Sequence, residues 1–185
     1  MILFILTLSL LLAAFFLQIR FPERLSFFRG LFFASFFAIL FFYLVLVYLQ
    51  YAIWKESGPP ASLLIPPHQN ALYVFSYHFV RFGVWYALSF VVALLTFFSM
   101  RFLNKKFEER FFEPEEAYLG AIAVFLLGNP SWHYAWVYYF LALGFASLLG
   151  TLFFRYILHL DRRFSFYWLW IPVALGVIMI MSIVL

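Results

Sequence analysis

The stretch that decides the fold is AYLGAIAVFLLGNPSWHYAWVYYFLALGFASLLGTLFF, residues 117–154, 38 residues without one Asp, Glu, Lys or Arg. A helix rises about 1.5 Å per residue and a bilayer hydrocarbon core is about 30 Å thick, so about 20 residues cross once. The stretch is too long for one crossing and right for two joined by a tight turn. Asn129-Pro130 marks that turn, because proline lacks a backbone donor and clashes with the helix before it. A helix over 114–128 would be only about 22 Å long. That leaves Asn129–His133 at membrane depth, where irregular backbone has to be satisfied by protein or by water in a cavity.

The rest of the chain agrees with lipid as its solvent. Of 185 residues, 67% are hydrophobic, 25% aromatic and only 11% charged, whereas a soluble domain is about half apolar and a quarter charged. Further apolar runs occupy 1–19, 30–54, 72–100 and 166–185. With 114–128 and 134–158 they give six expected spans in a single all-α, polytopic transmembrane bundle over 1–185. Met1–Ile19 has no basic leader segment and no small-residue cleavage site, so it is read as a helix of the bundle.

Charge orients the threading. Arg20, Arg24 and Arg29 follow the first span, Arg101, Lys105, Lys106 and Arg110 the third, and Arg155, Arg162 and Arg163 the fifth. These are ten of the twelve basic residues. Only Lys55 and Arg81 fall on the other side. The positive-inside rule puts the three basic loops in the cytoplasm and both termini on the non-cytoplasmic side. The expected location is the cytoplasmic (inner) membrane of a prokaryote. Residues 55–70, KESGPPASLLIPPHQN, form a proline-rich external loop. Residues 101–113 carry Leu103, Phe107 and Phe111 at helical spacing and read as an amphipathic segment on the inner surface. Glu113, Pro114, Glu115 and Glu116 form a helix start, with proline at the first helical position and acids at the positive end of the dipole.

Two sets of residues are candidates for function. His68, Asn70, His78, Arg81, Asn129 and His133 all fall on the outer side. An imidazole and guanidinium group there could hold a phosphate, a carboxylate or an anionic headgroup. His78, Arg81, Trp85, Ser89 and Thr96 follow one face of a regular helix. The second set is a helix-packing stripe, Ala142, Ala146 and Gly150 with Gly144 beside it, of the kind that lets backbones approach closely.

Much chemistry is excluded. There is no cysteine, hence no disulfide, thiol chemistry or Cys-ligated metal. Asp161 is the only aspartate, so an intramembrane aspartyl dyad is unavailable. HExxH and GxSxG are absent. No cofactor is expected, although His78 and His133 are the pair that could ligate haem or a metal. The basic residues form no nucleic-acid stripe. The resulting expectation is a small integral membrane protein in the bilayer, a non-catalytic subunit or accessory component of a larger assembly, with a membrane-protein partner or a second copy beside it. A transporter or lipid- or anion-binding protein is the alternative, and an enzyme on a lipid-linked or anionic substrate the third.

Overall fold

The computed structural model describes residues 2–22, 24–108, 111–156, 159 and 165–184. Arg110, Asp161, Arg162 and Arg163 lie outside the described residues, as do Met1, Leu185 and the last two residues of the expected fifth span. Among the described residues there is no strand, and six helices carry the fold. They are α1 (Ile2–Arg20), α2 (Leu25–Glu56), α3 (Ala71–Lys106), α4 (Glu116–Leu126), α5 (Ala135–Tyr156) and α6 (Trp170–Val184). All but α4 are long and apolar enough to cross a membrane, α6 together with the single turn Phe166–Trp168 before it. The chain is an integral membrane protein built as a helical bundle.

Local chemistry sets the ends. The Asn70 side chain accepts the Leu72 N–H at 2.9 Å and opens α3, as asparagine does at a helix N-cap. The Glu113 N–H donates to Glu116 Oε1 at 3.3 Å while the Glu116 N–H donates back to the Glu113 carbonyl, much as in a capping box, with Pro114 between them. Residues 101–106 continue α3 instead of starting a surface helix of their own. The segment after them is pinned by Asn104, whose amide donates to the Phe112 carbonyl at 2.5 Å and accepts the Phe112 N–H at 2.9 Å.

The short helix α4 is the axis of the bundle. Every residue in it except Tyr118 is buried, and it touches α1, α2, α3 and α6. Lipid is as apolar as leucine, so hydrophobicity alone cannot sort helices in a membrane, and close packing does so instead. Ala117, Gly120, Ala121 and Ala123 make α4 thin enough to be surrounded. A Cβ at Gly120 would come within 3.0 Å of the Trp170 ring, and one at Gly128 within 2.5 Å of Ser89 Cβ.

The segment from Phe112 to His133 runs antiparallel to α3, as four contacts in order show. Asn104 meets Phe112, the Phe97 ring meets Tyr118 at 4.9 Å, Ser89 meets Val124, and Trp85 meets the His133 ring at 4.7 Å. From 85 to 104 a helix climbs about 28 Å, close to one hydrocarbon thickness. The helical part of the facing segment, 11 residues, supplies only about 16 Å of that. Residues 127–134 cover the remainder without helix. Their backbone is largely self-satisfied: Gly128 N–H donates to Phe125, Trp132 to Asn129 and Ala135 to Trp132, each at 3.0 Å.

The two ends of the bundle are chemically distinct. At the basic end, the Tyr167 hydroxyl donates toward the carbonyls of Gln18 at 3.3 Å and Pro22 at 3.2 Å, the Gln18 amide donates to the Tyr167 carbonyl, and Phe112 meets Phe166. The loops after α1 and α3 and the chain entering α6 are thereby drawn together. At the opposite end Phe4 of α1 packs edge-on against Trp132 at 5.3 Å.

Candidate functional site

The end opposite the basic loops, expected from charge to be the outer one, is built by α2, α3 and the 127–134 segment. One local feature of α3 controls it. Phe79–Gly83 form a single wider turn, in which the Val84 N–H reaches back to the Phe79 carbonyl. Such a bulge inserts one residue into the helical register and rotates the following face by about 100°. The straight-helix alignment of His78 with Trp85 and Ser89 is therefore broken. His78 is buried against α2, its ring 5.2 Å from Tyr43 and 4.7 Å from Phe82 on its own helix. Trp85 and Ser89 instead face the 124–134 region.

The sequence-predicted polar residues are accordingly held by different neighbours. Arg81 is exposed and its guanidinium donates to the Tyr77 hydroxyl at 3.0 Å. His133 is exposed with its ring on Trp85. Asn129 is buried, its Oδ1 accepting the Ser131 N–H at 3.0 Å while its Nδ2 has no partner among the described residues. His68 is exposed, its N–H bonded to the Ile65 carbonyl, and Asn70 caps α3. Among the described residues no hydrogen bond or ring contact joins His78 or Arg81 to Asn129 or His133. Nor do three or more His, Asp or Glu residues gather as a metal would require.

The packing stripe lies on α5, which packs mainly on α6. Ala142, Ala146 and Gly150 are half-buried, and a Cβ at Gly144 would meet nothing within 4 Å. Ala142 also lines a groove of about 410 Å³ between α5 and α6, with Tyr138, Val177 and Met181.

Two features escaped sequence reading. The first is an interior polar set around Glu116, which is only 2% exposed. Its Oε2 accepts the Trp170 indole N–H at 2.9 Å, and the Trp170 carbonyl accepts the Tyr139 hydroxyl at 3.0 Å. With Oε1 held by the Glu113 N–H, both carboxyl oxygens are engaged, and the group ties α4 to α6. A glutamate at a helix start next to two others gives no sign that one of them turns inward.

The second is an arm. Beyond Tyr43 on α2 and Gly83 on α3, these two helices continue together. Trp54 packs on Tyr73 at 6.2 Å and on Tyr77 at 5.1 Å, and Trp54, Ile65 and Val74 form a second small core separate from the main one. Around that core the arm exposes large apolar side chains, with Lys55, Glu56, His68, Gln69 and Arg81 among them. Tyr48 is 68% exposed, Ile53 57%, Leu72 64% and Val80 73%. The signal for it was available in the lengths, since α2 has 32 residues and α3 has 36, well beyond the about 20 that a crossing needs.

The buried side chains of Gln18, Ser89, Glu116, Tyr139 and Tyr167 hold helices together, and the polar residues of the opposite end are held by separate neighbours. The largest uncommitted feature of the outer end is the apolar arm. Against known proteins, no family model, curated protein or solved structure matches this chain.

Proposed function

We propose that this chain is a non-catalytic subunit or accessory component of a larger membrane assembly, and that the α2–α3 arm is its docking element. The observation that carries the reading is the spacing of charge along α3. Arg81 and Arg101 are 20 residues apart, about 30 Å along a helix, one hydrocarbon thickness. With both cations at the two boundaries, residues 71–80 and the part of α2 beside them extend up to about 15 Å further out. Headgroup regions add only about 5–7 Å on each side. The outermost part of the arm, with Leu72 and Ile53, then reaches water uncovered. Several large apolar side chains exposed in that position favour an interaction site. The occupant this favours is the extramembrane apolar surface of a partner protein. The alternative of anion binding at the outer histidines draws less support, because Arg81 already donates to Tyr77 and His78 is buried between aromatic rings.

Photo-cross-linking side chains placed at Tyr48, Ile53, Leu72 and Val80 in native membranes test this. Adducts of one defined mass from these positions, and none from lipid-facing Phe145, are the expected result. Ile53→Arg and Leu72→Arg should abolish the adducts from the neighbouring positions without lowering the amount of inserted chain. An adduct of twice the chain mass would replace the partner by a second copy. A chain that purifies from native membranes as a monomer, with no adduct from the arm, refutes the proposal.

A further inference from the structure

At the basic end, two helices and the chain entering a third line one common groove. α2 presents Leu25 and Arg29, α3 presents Arg101 and Lys105, and Pro114 in the turn before α4 and Tyr118 within it close the third side. Spacing of four places each of the first two pairs on one helix face, so this is a surface assembled from three elements and not a run of loop charge. The groove is open on one side and its volume is about 830 Å³.

The walls are mixed. Phe98 and Phe102 are exposed on the same face of α3 and flank Arg101, so aromatic rings and cations share the groove wall. Arg29, Arg101 and Lys105 stand against one lining carboxylate, Glu113. No ion pair among the described residues neutralises any of the three. The Arg101 guanidinium lies over the Phe97 ring at 5.5 Å, which orients it without consuming its in-plane N–H donors. Asn104 forms part of the wall, but both ends of its amide are spent on Phe112. The groove floor is therefore rigid, with α3 and the start of α4 tied together beneath it.

We propose that this groove binds a phosphate-bearing anion, with Arg29, Arg101 and Lys105 as its ligands. Guanidinium and ammonium groups converging on a space of this size match phosphate oxygens in charge and in donor geometry. The same chemistry could come from an anionic lipid headgroup, its acyl chains along Phe98 and Phe102, or from a free phosphate group. This site is independent of the outer arm.

The test uses the full chain in neutral detergent, with thermal unfolding followed as dioleoylphosphatidylglycerol, dioleoylphosphatidylcholine or inorganic phosphate is added. A ligand that binds only the folded state raises the midpoint with its concentration. A rise with phosphatidylglycerol and none with phosphatidylcholine or phosphate assigns the site to an anionic lipid. A rise with phosphate as well assigns it to the phosphate group alone. Each of Arg29→Gln, Arg101→Gln and Lys105→Gln should weaken binding about fivefold, and the triple variant roughly a hundredfold. Lys106→Gln, outside the groove, should leave it unchanged, and Glu113→Gln should tighten it, which keeps the test open if the triple variant fails to fold. A response equal for both lipids with none to phosphate, or one that the triple variant retains in full, overturns the proposal.

Discussion

Substituting Gly128 by Ala tests the packing that centres α4. The added methyl would stand 2.5 Å from Ser89 Cβ and 2.8 Å from Ser89 Oγ, whereas carbon atoms in contact sit at about 3.5–4.0 Å. The end of α4 has to move away from α3 by about 1 Å. Ser89 Oγ lies 2.5 Å from the Val124 carbonyl and 3.0 Å from that of Phe125. These are among the last carbonyls of α4, which find no partner within the helix; Phe125 also accepts the Gly128 N–H, and Ser89 adds a donor from a neighbouring helix. Overpacking costs about 1–3 kcal/mol and the strained hydrogen bond about 0.5–1.5 kcal/mol, so Gly128→Ala should destabilise by about 2–4 kcal/mol. Ser89→Gly removes the obstructing atoms and the donor together. The double variant should then be at least about 1 kcal/mol more stable than the sum of the single effects, a coupling that separate sites lack. Gly144→Ala is the control, because its Cβ meets nothing, and it should cost nothing. Unfolding in mixed micelles, followed by tryptophan fluorescence, measures all four. Additivity within about 0.5 kcal/mol would mean that Gly128 and Ser89 do not press on each other.

Two further outcomes follow from the fold. Glu116→Gln keeps an acceptor for the Trp170 indole N–H but turns its NH2 toward the Glu113 N–H, and should cost about 0.5–1.5 kcal/mol, whereas Glu116→Leu strands the buried indole donor as well, costing about 2–4 kcal/mol. Equal melting temperatures for the two variants would remove Glu116 from the role of tying α4 to α6. The chain contains no cysteine, so single cysteines at exposed Gln69 and Phe107 report sidedness directly. In intact cells an impermeant maleimide should label Gln69→Cys and should reach Phe107→Cys only after the membrane is opened; labelling of the latter from outside would invert the topology.

The sequence by itself determined the solvent, the fold class and the grouping of charge. A chain this apolar cannot bury its surface in water, and ten cations after alternate apolar runs leave little freedom in threading. The apolar runs were visible too, but the expected spans 30–54 and 72–100 are shorter than α2 and α3, and the expected span 114–128 holds a helix of only 11 residues. What it could not determine is which face of each helix meets which neighbour. In water, apolar periodicity marks the buried face; in lipid every face is apolar, and the choice falls to steric fit. That is why α4 became the centre while α5, with its regular stripe of small residues, stayed at the edge. It is also why Glu116 turned inward: its burial depends on Trp170, 54 residues away in sequence. The wide turn at Phe79–Gly83 made the same point on one helix. A single inserted residue sent His78 toward α2 and Trp85 toward His133, and no local pattern in the residues around Arg81 announces it. Register along a chain is a local property, but the partner across a helix face is fixed only when all the faces compete for the same space.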